Sequence, residues 1–428
     1  MTRMKDSGIE WIGEVPEEWG LKPIKYLATY DDSILSQSEI NQNITINYVD
    51  IGSVNLIEGI TNSERFNTLE APSRARRKTQ VGDTIVSTVR TYLKAIAYIS
   101  NEQNYIVSTG FCVLRPSCID SRFFSYAVKS DSFTKLVEKY AWGVSYPAIS
   151  SSQLVNLPIA FPKSLPEQTQ IADFLDKKVA QLDKVKSLLE EQIKTLEDYR
   201  QSLIYETVTK GLDKTVPLKD SGVDWIGQIP EGWEVKPIKH IFDVIGSGTT
   251  PDSSKAEYYD GDINWLQSGD LYKKDYVDSV SKTITDLGYL SSASLRIYEA
   301  PFLAIAMYGA SIGNLAISKI DACVNQAVAV LKGEEDIVRF VKFALEISKS
   351  ELIFAAQGGT QPNINQVLIK NWLIPFPSEI EIRKIADFLD KKTEQINQMI
   401  AVKKEQIENI NKQRQTLIYD YVTGKRRV

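Results

Sequence analysis

Histidine is nearly absent from this chain of 428 residues, since His240 is the only one. A metal centre or catalytic site built on two histidines is therefore excluded. Tyr26 occupies the matching position in a second sequence copy described below, so we expect no catalytic role for His240. The three cysteines, Cys112, Cys118 and Cys323, are an odd number and form no CxxC pair. They argue against a disulfide framework and a cysteine zinc site, and favour a reducing cytoplasm.

Long apolar runs and catalytic motifs are also lacking. No apolar run approaches the roughly 20 residues that span a bilayer, so no membrane partner is predicted. Residues 1–13 lack the apolar segment of a signal peptide. The sequence has no P-loop, no GxGxxG after a strand, no HExxH or GxSxG, no Asn/Asp-Pro-Pro-Tyr of an amino-methyltransferase, and no nuclease-like carboxylate cluster. We therefore predict a binder or scaffold with no catalytic residue, metal, cofactor or small-molecule substrate of its own.

An internal duplication is the main feature that is present. The octapeptide IADFLDKK occurs at residues 171–178 and again at 385–392. At the same offset, residues 6–27 match 220–241 at 13 of 22 positions, and RQSLIYETVT is answered by RQTLIYDYVT. Between these segments the copies diverge almost completely. Ordinary duplication with drift would spread substitutions more evenly, so we infer ends that meet the same partner twice and middles that meet two different targets.

The constant segments after each middle are predicted to be long helices. Leucine recurs every seventh residue in the first copy, and charged or amide residues fill most other positions. This a/d pattern is typical of two helices packed lengthwise, although a helix lying on its own domain is the alternative. Lys403 interrupts the second copy. The predicted seam consists of Leu175, Leu182, Leu189, Leu196, Leu203, Leu389, Ile396, Ile410 and Leu417.

The variable middles combine short β-like runs with Gly/Ser/Thr/Asn turns and a few helical segments, among them residues 123–140 and 336–354. The predicted class is α+β: two tandem globular α/β recognition domains joined by two long antiparallel coiled-coil helices, with pseudo-two-fold symmetry. The predicted domains are 1–165, 166–210, 211–379 and 380–428. The end of the chain also reads as if it were joined to its beginning, which such symmetry explains.

Net charge is −5 for the whole chain but is uneven along it. It is zero for residues 1–165, −7 for 211–379 and +4 for 380–428. Local basic residues suit DNA phosphates and guanine edges, although a solvated surface explains a basic loop equally well. We expect Arg74, Arg76, Arg77 and Lys78 in a loop before a strand, followed by Arg90, Tyr92 and Lys94 on a strand and turn. In the second copy the basic pair is Lys273 and Lys274.

Polar turns supply the remaining candidate DNA contacts. The second middle opens with GSGTTP, and each middle closes with a Gly-containing turn, WGVSYPAIS or QGGTQPNIN. Hydroxyl and amide groups there suit base edges or phosphates, while a plain turn is the alternative. These candidates are Ser145, Tyr146, Ser247, Thr249, Thr250, Gln267, Tyr308, Asn314, Gln357, Thr360, Gln361 and Asn363.

Taken together, these segments resemble the specificity subunit of a type I restriction-modification enzyme. The resemblance covers essentially the whole chain and includes SGIEWIGEVPEEW with its second copy, GTTP…NWLQSGDL, QPNIN…IPFP and both IADFLDKK helices. One departure is that the first middle has ATYDDSILSQSEI in place of the GTTP segment. Its base-contacting loop is correspondingly harder to assign.

The resemblance implies a role without chemistry in this chain. Each middle would be a target recognition domain that reads one half of a split, asymmetric site in double-stranded DNA. The helices would set the spacer and dock two modification methyltransferase subunits, which use S-adenosylmethionine on adenine N6. Restriction subunits, motor–nucleases that use ATP and Mg²⁺, would join them in the cytoplasm.

Two alternatives remain open from the sequence. The chain is equally compatible with a methylation-only system without a nuclease, which the neighbouring genes would distinguish. It is also compatible with a coiled-coil scaffold that joins two proteins and never touches DNA. The acidic balance slightly favours that scaffold, but a scaffold gives no reason for the middles to diverge while the ends do not.

Overall fold

The computed structural model describes residues 3–10, 12–103, 105–356 and 363–428. Contacts divide the chain into unit 1, which is Met1–Glu190 with Lys404–Val428, and unit 2, which is Glu191–Lys403. Each unit therefore combines one globular module with part of each long helix.

Unit 1 is built around two four-stranded sheets with the orders β11-β10-β13-β4 and β8-β5-β12-β9. The strand β10, whose four residues are all buried, pairs antiparallel with both of its neighbours. The strands are β1 (Met4–Asp6), β2 (Glu14–Pro16), β3 (Gly20–Pro23), β4 (Ala28–Tyr30), β5 (Thr45–Val49), β6 (Val54–Asn55), β7 (Gly59–Ile60), β8 (Glu64–Asn67), β9 (Ala75–Lys78), β10 (Thr84–Ser87), β11 (Ile96–Tyr98), β12 (Tyr105–Ser108), β13 (Phe111–Pro116) and β14 (Pro158–Phe161).

The helices of unit 1 contact both sheets: Ser121–Lys129 packs on β11 and β13, and Ile40 packs against the cluster that contains Ile46 and Tyr48 of β5. The segment that reads as one helix over residues 123–140 is broken at Ser130, whose extended backbone ends one helix and whose Oγ accepts from the Phe133 amide to cap the next. The helices are α1 (Gln37–Asn41), α2 (Ser121–Lys129), α3 (Asp131–Tyr140), α4 (Ser151–Leu154) and the first long helix α5 (Leu165–Lys210), with 3-10 helices at Ile24–Tyr26, Ile51–Ser53 and Thr91–Leu93.

Unit 2 has a five-stranded sheet, β18-β25-β22-β23-β20, and a three-stranded sheet, β21-β19-β24. Its core strand β22 is buried at all five residues. The strands are β15 (Leu218–Asp220), β16 (Gln228–Pro230), β17 (Glu234–Pro237), β18 (Val244–Ser247), β19 (Tyr259–Leu266), β20 (Tyr276–Val277), β21 (Thr283–Ile284), β22 (Phe302–Ala306), β23 (Leu315–Ser318), β24 (Cys323–Val324), β25 (Val328–Lys332) and β26 (Leu373–Phe376).

The helical segment predicted over residues 336–354 is likewise divided, here at Ser348. The helices of unit 2 are α6 (Asp286–Leu290), α7 (Glu335–Ile347), α8 (Lys349–Ala355), α9 (Gln366–Asn371) and the second long helix α10 (Glu379–Val422), with 3-10 helices at Ile238–His240, Ala256–Tyr258, Ser268–Leu271 and Gly309–Ser311.

The predicted antiparallel pairing of the long helices is confirmed within each unit. In unit 1, Phe174 of α5 packs on Tyr421 of α10 with ring centroids 4.5 Å apart, and Asp183 lies 3.5 Å from Arg414 further along. In unit 2, Lys403 donates to Gln192 at 2.5 Å. The lysine that interrupts the heptad pattern is thus hydrogen-bonded at the seam.

The helix ends also enter the cores of the modules, which a two-helix seam alone does not require. In unit 1, Ile171 and Leu175 pack in the cluster that contains Trp19, Phe123 and Phe133. In unit 2 the corresponding cluster takes Ile204 and Val208 from α5 and Ile382, Ile385 and Leu389 from α10. Each such buried aliphatic side chain contributes roughly 1.5–3 kcal/mol to stability. The helices are therefore anchored to both modules as well as to each other.

Candidate nucleic-acid interface

Each module is held by the same set of contacts, at the same places in the two sequence copies. The Trp19 indole donates to Glu167 at 3.2 Å, and the Trp233 indole donates to Glu381 at 3.4 Å. The Tyr419 hydroxyl donates to the Ile12 carbonyl at 3.1 Å, which matches the 3.2 Å bond from Tyr205 to Ile226. The end of each long helix therefore holds the beginning of a module.

We call this repeated set of contacts the frame. An arginine on the first helix of each module's helix pair, α2–α3 in unit 1 and α7–α8 in unit 2, completes it. Arg122 bonds Asp173 and Asp176 of α5 at 2.7 and 2.9 Å. Arg339 makes the equivalent bonds to α10, at 2.7 Å to Asp387 and 2.6 Å to Asp390. The repeated aspartates of IADFLDKK are thus acceptors for module arginines, and this explains why both copies keep them.

The variable part of each module enters and leaves the frame through a pair of adjacent strands. In unit 1, β3 pairs antiparallel with β14, with Pro23 opposite Pro158. In unit 2, β17 pairs with β26, with Pro237 opposite Leu373. Between these strands only Arg122 and Arg339 belong to the frame described above, so the rest of the intervening sequence can vary without changing it.

The turn between β10 and β11 presents an exposed arginine in unit 1. Arg90 and Lys94 flank the 3-10 helix Thr91–Leu93 and both have left-handed backbones, with φ of 52° and 47°. The Arg90 guanidinium lies over the Tyr146 ring, 5.2 Å from its centroid, while Tyr92 is 53% exposed. The sequence predicted this group on a strand and a turn, but all of it lies on the turn.

A neighbouring hairpin completes an aromatic surface around Arg90. Trp142 and Ala148 form its bridge, and Gly143 has a φ of 112° that favours glycine. At its tip Val144 is fully exposed, Ser145 is exposed, and Trp142 and Tyr146 are 78% and 65% exposed. The Thr91 amide bonds the Pro147 carbonyl at 3.3 Å, which ties the hairpin to the turn. The exposed Trp142 and Val144 were not among the sequence candidates, and only their place beside a turn glycine marked them.

The basic run of residues 74–78 was wrongly predicted to be a loop, because Ala75–Lys78 is the strand β9. Only Arg74 lies outside the strand, and it is exposed. Arg77 is ion-paired with Asp31 at 2.8 Å, and Lys78 bonds Glu39 at 2.5 Å.

The basic side chains near β9 and the following turn are largely paired with carboxylates of their own module. The Lys78 hydrogen bond, followed by those from Ser36, lowers the pKa of Glu39 to about 2. Arg76 is half-buried on the same strand, and Lys94 lies 3.8 and 3.7 Å from Asp131 and Glu138. Arg77, Lys78 and Lys94 are therefore neutralised by carboxylates of their own module, which leaves Arg74 and Arg90 as the exposed arginines of the predicted set.

In unit 2 the GSGTTP segment is held tightly against the three-stranded sheet. The Thr249 carbonyl accepts from the Trp265 indole at 3.2 Å, and the Thr250 hydroxyl bonds Gln326 at 2.5 Å. Ser247 Oγ accepts from Gln366 at 2.7 Å. Thr250 is exposed, whereas Ser247 and Thr249 are half-buried.

Gly248 allows this close approach, because a Cβ there would lie 1.8 Å from the Val324 carbonyl oxygen. We predict that Gly248→Ala lowers the thermal unfolding midpoint by about 3–10 °C, since backbone cannot give way as a flexible side chain does. Gly269→Ala is the matched control, because nothing lies within 4 Å of its Cβ position. Equal midpoints for the two variants would contradict this role of Gly248.

The remaining candidates of unit 2 are spread over several turns. Lys273 and Lys274 are exposed, and Lys273 lies 5.1 Å from the centroid of the exposed Tyr272 ring. Gln267 and Tyr308 are half-buried before 3-10 helices.

Asn314, which follows the 3-10 helix Gly309–Ser311, accepts a hydrogen bond from Lys349 at 3.0 Å. Asn363 is exposed. Gln357, Thr360 and Gln361 lie outside the described residues, so their assignment stays a prediction.

All the predicted seam residues are at least partly buried. Leu175, Leu389 and Ile396 are buried, and the others are half-buried, as expected where only two helices shield them from water: Leu182, Leu189, Leu196, Leu203, Ile410 and Leu417.

Two findings concern features absent from the described part of the chain. Among the described residues, no group of three or more His, Cys, Asp and Glu side chains is arranged to hold a metal ion. In that same part of the chain, no helix has the length and apolar character needed to cross a membrane.

Comparison with known proteins identifies relatives for both halves of the chain. The family model described as "Type I restriction modification DNA specificity domain" matches residues 16–197 and again 230–409. The MjaIX type I restriction enzyme specificity subunit of Methanocaldococcus jannaschii is 33% identical over 192 residues, which cover 44% of this chain and 43% of the relative. The MjaVIII specificity subunit of the same archaeon is 28% identical over 322 residues, or 72% of this chain and 71% of the relative.

A solved structure shares the fold over nearly its whole length. It comes from work titled as the structural basis of complex assembly and conformational transition of the type I R-M system. The match has a TM-score of 0.76 and 22% identity, and covers 96% of this chain and 99% of that one.

Proposed function

Because this chain belongs to the type I restriction modification DNA specificity family, we propose that it gives a methyltransferase complex its DNA sequence specificity. Each module reads one half of a bipartite, asymmetric site in double-stranded DNA. The paired helices set the number of unread base pairs between the halves. Catalysis belongs to the partner subunits.

The observation that carries this proposal is one frame built twice around two different surfaces. The Trp–Glu, Tyr–carbonyl and Arg–Asp contacts recur in both units. The turns supported by that frame differ in sequence and in most of the side chains that they expose. A protein that holds two dissimilar readers in equivalent settings is suited to a site with two different halves.

The surface of unit 1 suits direct contact with a base or phosphate. The Arg90 guanidinium is exposed and stacked on Tyr146. An arginine held in this way can bridge guanine O6 and N7 or contact a phosphate. Trp142 and Tyr92 add exposed aromatic area beside it. In unit 2 the exposed candidates are Lys273 and Lys274, which supply ammonium donors, and Thr250, whose hydroxyl donates to Gln326 and can accept a further hydrogen bond.

The duplicated constant segments are proposed to dock two modification methyltransferase subunits, one per copy. Lys177 is exposed in the first copy, as is its equivalent Lys391 in the second. Two equal docking surfaces explain why these segments resist divergence. The partners bind S-adenosylmethionine and methylate adenine N6, and restriction subunits use ATP and Mg²⁺. Because this chain carries a net charge of −5, the modification subunits supply part of the positive surface toward DNA.

The proposal is tested by expressing the chain with its neighbouring modification subunit in a host without other adenine methyltransferases. Single-molecule sequencing of the host DNA then reports every methylated adenine. We expect one two-part motif with a fixed spacer. Arg90→Ala should reduce methylation of sites that carry the correct half for unit 1 by about 5–150-fold, which corresponds to the roughly 1–3 kcal/mol of one bidentate contact.

Arg65→Ala is the matched control, because Arg65 is also exposed in unit 1 but lies on the edge strand β8. It should leave the motif unchanged. Absence of any two-part motif in the wild type, or equal effects of the two arginine variants, would overturn the corresponding part of the proposal.

A further inference from the structure

The two long helices each carry one buried arginine that reaches into a module. Arg200 of α5 and Arg414 of α10 occupy the same position in the repeated segment RQ(S/T)LIY. Their side chains are only 13% and 7% exposed. Arg200 lies beside the last turn of α7 in unit 2, and Arg414 lies beside the last turn of α2 in unit 1. The same cation of the repeated segment therefore meets two different modules at one equivalent point.

In unit 2 this arginine meets carboxylates supplied by the module. Arg200 bonds Glu346 and lies 4.0 Å from Asp275. Lys342 bonds Asp275 in turn and lies 3.4 Å from Glu346, so two cations alternate with two anions. Burial alone would raise the pKa of Asp275, but the charges of Lys342 and Arg200 hold it below its ordinary value.

In unit 1 the module presents the opposite charge. The helix sequence RFFSYAVK of α2 aligns with RFVKFALE of α7, and this places Lys129 where unit 2 has Glu346. Burial, followed by the charge of Arg414, lowers the pKa of Lys129 to about 8, whereas Asp176 and Asp183 act in the opposite direction. Arg414 donates to the Ile57 carbonyl at 3.2 Å instead of to a module carboxylate.

The compensating carboxylate of unit 1 comes from the partner helix. Asp183 of α5 lies 3.5 Å from Arg414. The residue at the matching position of α10 is Asn397, which has no charge. The negative charge near the arginine thus belongs to the helix in unit 1 and to the module in unit 2.

We infer that Arg200 and Arg414 are positioning residues that match each module to one of the two sites on the helices. A module with a carboxylate at the Glu346 position fits Arg200, for which the position on the partner helix that matches Asp183 is the uncharged Asn397. A module with a lysine at the Glu346 position requires the arginine that faces Asp183. The two modules are consequently not interchangeable, and the fixed angle between module and helix contributes to the spacer that the complex reads. This inference about spacing rests on the proposed function, but the charge matching does not.

The matching is tested by reversing one charge and restoring its partner. Glu346→Lys should lower the unfolding midpoint of the full chain by on the order of 10 °C, because it leaves like charges buried together. Adding Asn397→Asp places a helix carboxylate at the position equivalent to Asp183 of unit 1 and should recover at least a third of that loss. Glu335→Lys, exposed on the same helix, is the control and should shift the midpoint by about 2 °C or less.

The outcomes separate the two proposals. Failure of Asn397→Asp to restore stability to the Glu346→Lys variant would overturn the charge matching, whatever the DNA specificity of the wild type. The positioning role of the arginines is tested by measuring methylation of sites whose spacer is one base pair longer or shorter than the correct one. The milder Glu346→Gln, in a complex that still methylates, should raise methylation of such sites several-fold relative to the correct spacer. If the ratio of methylation at altered spacers to methylation at the correct spacer is unchanged, the arginines stabilise the fold but do not set the spacing.

Discussion

Leu389→Asp should destabilise the chain by about 3–5 kcal/mol and abolish the packing of α10 in unit 2. Leu389 is fully buried in the cluster that contains Ile204, Ile382 and Ile385. An unpaired carboxylate at this position loses both apolar burial and solvation. Chemical denaturation followed by circular dichroism measures the change in the free energy of unfolding.

The same helices offer a graded series that tests whether burial causes the effect. Leu196 lies in the seam but is half-buried, so Leu196→Asp should cost less, about 1–3 kcal/mol. Met399 of α10 is 51% exposed, and Met399→Asp should change stability by about 0.5 kcal/mol or less. If all three variants lost the same stability, helix propensity rather than packing would explain the result, and the seam would lose its role.

The long helices show what heptad spacing predicts well. Leucine at every seventh residue predicts both helices and their lengthwise pairing, because an a/d stripe has few other ways to be buried. It does not reveal that Ile171 and Val208, at the helix ends, enter the module cores. Those residues lie off the stripe, and the elements that cover them are distant in the sequence.

The candidate DNA contacts show where local patterns fail. Arg77 and Lys78 belong to a basic run, but their partners Asp31 and Glu39 lie about 40 residues away. No local signal distinguishes such paired cations from exposed Arg90. Arg200 looks like one more charged helix residue, although it is buried beside a module. Sequence identifies which residue types suit DNA, and tertiary pairing decides which of them remain available.

Replacing residues 24–157 by the matching segment of a relative should change one half of the methylated motif and leave the other half intact. The junctions follow from the paired strands β3 and β14, which hold the two ends of the variable part next to each other. The frame contacts of Trp19 and Tyr419 lie outside the graft, and a donor with arginine at the position of Arg122 keeps the bonds to Asp173 and Asp176. Docking of the modification subunits should therefore persist. Single-molecule sequencing of methylated adenines measures both half-sites in one experiment.

The choice of relative provides the control for this exchange. A donor with lysine at the position of Lys129 keeps the charge that Asp183 and Arg414 face, and it should give full methylation of the new motif. A donor with glutamate there would place an additional carboxylate beside Asp183, and the resulting chimera should methylate poorly. Adding Asp183→Asn to that chimera should restore its methylation activity. An unchanged motif after a stable exchange would mean that the variable modules do not read DNA, and the scaffold interpretation would then replace the specificity role.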